Sequence, residues 1–160
     1  MTTASAIARY IINSFQEAGD PVSNLKLQKL LYYVQGWHLA LLDEPAFPER
    51  LEAWIHGPVQ PGVYGEYKRY RWNPIGEPVE APELDGDLTA LVQEVLTVYG
   101  TDSAYELEVR THREDPWREA RGNLPRDCES SAVITQESMQ RFFKKFAESD
   151  DEDQEMADHD

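Results

Sequence analysis

Residues 24–40 decide the fold: Asn24-Leu25-Lys26-Leu27-Gln28-Lys29-Leu30-Leu31-Tyr32-Tyr33-Val34-Gln35-Gly36-Trp37-His38-Leu39-Ala40. Leu27, Leu30, Leu31, Val34, Trp37, His38 and Leu41 follow the i, i+3, i+4, i+7 rule, which marks a helix with one apolar face. Ser23 or Asn24 caps it, and it continues to about Leu42. Lys26 and Lys29 fall off that stripe. The apolar run is broken by Gln35, Gly36 and His38 and is too short to span a bilayer, so no membrane partner is expected.

Upstream, Ile7, Tyr10, Ile11, Ser14 and Phe15 space a first helix over Ala4–Ala18, closed by Gly19 and an Asp20-Pro21 turn. Downstream, Leu51–Ile55 reads as a short strand or extended segment, and His56-Gly57-Pro58-Val59-Gln60-Pro61 as a rigid turn. Pro61 opens a helix to about Tyr70, with Val63, Tyr64, Tyr67 and Tyr70 as its apolar positions. Asn73–Gly86 is a loop with room for a short strand near Ile75–Val79. A fourth helix follows over Asp87–Tyr99. A fifth, capped by Asp102 or Ser103, reaches about Thr111. Pro116-Trp117 starts a short turn to Arg121, and Gly122–Ser131 is irregular. Thr135 caps a last helix to Ala147, with Met139, Phe142, Phe143 and Phe146 facing inward. The expected fold is mostly α: a compact single domain of about five to seven helices with at most a small short-stranded β element.

Composition bounds the function. The 160 residues hold 15 basic and 30 acidic side chains, a net charge of −15, with 41% hydrophobic and 11% aromatic residues. Such a charge opposes approach to nucleic acid or an anionic membrane, because phosphate contacts need clustered Lys and Arg. Residues 148–160 carry eight carboxylates and no Lys or Arg, leaving 22 acids against 15 bases, or −7, on residues 1–147. Such a segment cannot offset the entropy of ordering itself, so the reading is a folded domain over 1–147 and a disordered acidic tail over 148–160. One cysteine, Cys128, excludes a disulfide framework. The N-terminus lacks a basic stretch ahead of an apolar core, as a secretory signal would show, and a cytoplasmic protein is expected.

No spacing in the chain announces catalysis. His38 lies on the apolar face of the second helix, His56 in a constrained turn, and His112 where a helix gives way to a turn. His56 and His112 could meet and share a proton or a metal with Glu114 or Asp115. The plainer reading is that each imidazole bonds a backbone group at its turn. No paired-ligand motif points to a metal, and no Gly-rich phosphate loop or serine elbow is present, so neither metal nor cofactor is expected. The basic run Lys68-Arg69-Tyr70-Arg71-Trp72 interleaves cations with aromatics inside an acidic body. With Tyr64 and Tyr67 it is the densest group of residue types that anchor protein interfaces, and it is the candidate partner-binding surface.

Three ordered blocks carry a family resemblance. They are residues 24–40; Leu51-Glu52-Ala53-Trp54-Ile55-His56-Gly57-Pro58-Val59 with Val63-Tyr64 and Tyr67-Lys68; and Thr111-His112-Arg113-Glu114-Asp115-Pro116-Trp117. Together they resemble the Panacea domain family of SocA-like antitoxins, also described as GepA-like phage-associated proteins, over roughly residues 4–147. The resemblance implies a non-enzymatic antitoxin that binds a cognate toxin protein encoded nearby. Its alternative is an adaptor delivering that toxin to a Clp-type protease. A third reading is a small enzyme with a His56/His112 site. Lys26, Gln28, Lys29, Tyr32, Trp54, His56, Gly57, Pro58, Thr111, His112, Pro116 and Trp117 are the motif residues, expected to hold the fold or to line one shared groove.

Overall fold

The computed structural model describes the backbone of residues 2–158 and the side chains of residues 2–149. Helix α2 (Asn24–Leu42) lies at the centre. Around it stand α1 (Ala4–Glu17), α3 (Pro61–Tyr67), α4 (Gly86–Tyr99), α5 (Ala104–His112) and α7 (Gln136–Asp158). The short α6 (Asp115–Arg121) packs on α7 and on a small sheet. That sheet has the order β2 (Gly57–Val59), β1 (Leu51–Trp54), β3 (Val133–Ile134), antiparallel throughout. The architecture is mostly α with a minor β element, as expected. No helix among the described residues is long and apolar enough to cross a membrane.

Capping follows the sequence closely. Thr3 accepts from the Ala6 amide at the start of α1, and Ser23, not Asn24, accepts from Lys26 at the start of α2. Gly19 takes a positive φ after α1, while its own amide and that of Asp20 close onto Gln16 and Phe15. This is the Schellman arrangement, for which glycine is the natural residue. Ser103 and Glu106 form a reciprocal capping box on α5.

Helix α2 is not amphipathic in the expected way. Its residues from Leu27 to Gly36 are all buried, Lys29 among them, whereas Leu41 of the predicted stripe is 57% exposed. The two buried glutamines are satisfied by neighbours, whereas the Lys29 ammonium is not. Gln28 donates to Asn24 and accepts from the Gln60 amide, and Gln35 donates to the Phe47 carbonyl and accepts from the Ala46 amide. Lys26 reaches the Gly100 carbonyl at 2.6 Å.

Four other expectations are corrected. Gly57-Pro58-Val59 is not a turn but strand β2; the turn is Ile55-His56, and Pro58 pairs with Ala53. A proline is tolerated there because β2 is an edge strand. No strand forms over Ile75–Val79, where the Asn13 and Gln16 side-chain amides engage Val79 and the Ile75 amide donates to Val22. The helix from Pro61 ends at Tyr67 and tightens to a 3₁₀ turn over Lys68–Tyr70. Helix α7 passes Ala147, its expected end. The expectation of a disordered acidic tail over 148–160 concerns residues whose side chains, from 150 onward, lie outside the described ones.

Candidate functional site

The three motif blocks meet where the β1–β2 hairpin crosses α2 and α5. Trp117 donates its indole N–H to the Trp54 carbonyl at 2.8 Å, which ties α6 to the end of β1. The His112 ring stacks on Trp117 with centroids 4.1 Å apart, and the Arg121 guanidinium lies 4.6 Å from the same indole. Arg121 then donates to the carbonyls of Ala53, Pro125 and Cys128. A buried arginine spending its donors on backbone carbonyls fixes an otherwise irregular loop over 122–131. Its role was not readable from the sequence, since nothing local distinguishes Arg121 from its neighbours Arg118 and Arg126.

Beneath the hairpin lies a buried polar cluster. Lys29 is fully buried, its Nζ has no hydrogen-bond partner among the described residues, and burial pushes its pKa down to about 7 against the opposing pull of Glu108. Thr111 is also fully buried and donates to the Glu108 carbonyl. Burial lowers the His112 pKa as well, with Glu108 and the Ile55 carbonyl acting against it. Above them the exposed His56 holds Glu108 through Nδ1 at 2.6 Å. Glu108 thus acts on both imidazoles, bonding His56 directly and His112 through its charge alone.

Glu114 and Asp115 do not join them. Glu114 is buried one turn further along α2, accepting from Tyr32 at 3.0 Å and Tyr33 at 3.2 Å. Burial pushes it up to about 7, and the two phenols pull it back only in part. Among the described residues no group of three or more His, Cys, Asp or Glu could hold a metal ion. His38, read as structural, bonds the Glu44 carbonyl.

The basic run divides. Tyr67 belongs to the core and Tyr70 packs against it. Arg69 is engaged by the Tyr70 ring and Glu77. Lys68 and Arg71 are exposed, and Trp72 is 76% exposed. Tyr64 is half-buried, its ring edge-on to Trp54 at 5.0 Å.

The three ordered motifs supply the central buried helix, the hairpin and the His112–Trp117 stack, and together they point to one family. The chain belongs to the family described as Antitoxin SocA-like, Panacea domain, whose profile matches residues 27–118. It is similar to Antitoxin SocA of Caulobacter vibrioides (strain NA1000 / CB15N), at 31% identity over 71% of this chain and 68% of that protein. No solved structure matches it. The matched segment contains the hairpin, the Lys29 cluster and the His112–Trp117 stack.

Proposed function

We propose that this protein is an antitoxin that neutralises a cognate toxin, encoded by a neighbouring reading frame, by direct protein–protein contact in the cytoplasm. The observation that carries this reading is the similarity to Antitoxin SocA over most of both chains. The protein acts by covering a surface and turns nothing over. The exposed residues of the run from Tyr64 to Trp72 form part of the contact, with Trp72, Lys68 and Arg71 offering the aromatic and cationic groups that anchor interfaces.

Co-expression with the product of the adjacent frame tests this. Direct neutralisation predicts restored growth, co-purification of the two chains, and an unchanged toxin level in hosts lacking Clp proteases. A toxin level that falls only where the protease is present, and only with residues 148–160 intact, replaces direct neutralisation by delivery to the protease. Restored growth without any complex ends both versions.

A further inference from the structure

A groove of about 550 Å³ opens beside the hairpin. We infer that it is a docking site for a basic peptide segment: an apolar side chain flanked by arginine or lysine. Leu25, Ile55 and Tyr64 present half-buried apolar surface, Val59 forms the floor, and the Trp54 and Tyr64 rings stand edge to face. Such a concavity takes an aliphatic or aromatic side chain, and the two rings offer faces to a neighbouring cation.

Charge selects the occupant. Among the described residues no lysine or arginine lines the groove. Glu129 does, exposed and without an ion pair or hydrogen bond among the described residues. Arg126 and Asp127, just before it, do not line the groove. The rim residue His56 is already held by Glu108. An acidic segment would meet an unpaired carboxylate with nothing to answer it, whereas a basic one would neutralise it. The body's net charge favours the same partner at longer range.

The wall is also preorganised. Glu129, Ser130 and Ser131 follow directly on the loop whose Pro125 and Cys128 carbonyls Arg121 holds, and the Ala132 carbonyl accepts from the Ala53 amide. Both ends of the wall are therefore fixed before a partner arrives, which lowers the ordering cost of binding.

The inference rests on the antitoxin reading only for who the partner is. Its test uses the full chain and two synthetic octapeptides with the same central Leu-Trp pair, one flanked by arginines and the other by glutamates. Fluorescence anisotropy gives affinity and amide NMR gives location. The arginine peptide should bind and shift the amides of Leu25, Ile55 and Val59, while the glutamate peptide should not bind. Glu129→Lys should weaken binding about five-fold, in keeping with one partly exposed charge pair, and Glu94→Lys on α4 should leave it unchanged. Equal binding of the two peptides, no binding of the arginine peptide, or shifts confined to Lys68–Trp72 would overturn the inference. Peptide binding without toxin neutralisation would remove the antitoxin reading and leave the groove; the reverse would remove the groove alone.

Discussion

The Cε of Lys29 lies 3.3 Å from the point where a Cβ on Gly57 would sit. Thr111 Oγ1 closes on the same point at 3.0 Å, and Gly57 has φ +114°. The hairpin can therefore press onto α2 and α5 only with glycine at this position. Gly57→Ala is expected to cost on the order of 2 kcal/mol through backbone strain and crowding. Urea unfolding with an unchanged midpoint would show that the hairpin has more room than this.

A second close approach joins α2 to α7. A Cβ on Gly36 would overlap the ring of Phe143, which is buried among Tyr32, Tyr33 and Trp37. Gly36→Ala should destabilise by about 1–3 kcal/mol, and pairing it with Phe143→Leu should return part of the loss. Strict additivity of the two changes would place the overlap elsewhere.

Glu114 and Lys29 set opposite pH dependences. Glu114 is raised to about 7 from an ordinary 4.5, so the folded state holds its proton more tightly and stability falls as pH rises between those values. Lys29 is lowered to about 7 from 10.5, so stability rises as pH climbs from 7 toward 10.5. Together they place a stability minimum near neutrality. In guanidinium titrations at several pH values, Glu114→Gln should remove the fall below 7 and Lys29→Met the rise above it. Parallel profiles for wild type and both variants would contradict this.

His56 and His112 should separate in experiment. The His56–Glu108 pair has its imidazole side chain 68% exposed, so His56→Ala should change stability by less than about 1 kcal/mol. His112→Ala removes a stacked, half-buried ring from Trp117 and should cost about 1–3 kcal/mol. Thermal melts that move equally for both would refute the assignment of rim and core roles.

Arg121→Lys retains the charge but cannot serve Ala53, Pro125 and Cys128 together. Faster hydrogen exchange is expected in the loop over 122–131, with the α2–α7 core unaffected. Unchanged protection of that loop would mean that Arg121 does not hold it.

Periodicity and capping residues were enough to place most helices, because Ser23, Ser103 and Thr135 are local signals and each is used. What escaped depended on distant partners. Lys29 and Gln28 look solvent-facing by helical phase, yet a central helix buries every side, and Gln28 is satisfied by residues of α2 and by Gln60. β3 is two residues long and exists because Leu51 and Glu52 pair with it. The motif residues were visible as a set, and the meeting of Lys29 and Thr111 under Gly57 was not, since no spacing announces it. Arg121 was invisible for the same reason.

The sheet and the core close late in the chain. β1 pairs with β2 across two residues, but its other edge waits for Ile134, and the cleft over Gly36 waits for Phe143. On the ribosome the nascent polypeptide therefore shows an open strand edge and an unfilled helix cleft until those residues emerge, a surface that chaperones hold and proteases sample. Proteolytic loss of α7 from the mature molecule would reopen the cleft over Gly36 alone, because β3 precedes that helix and still covers the strand edge.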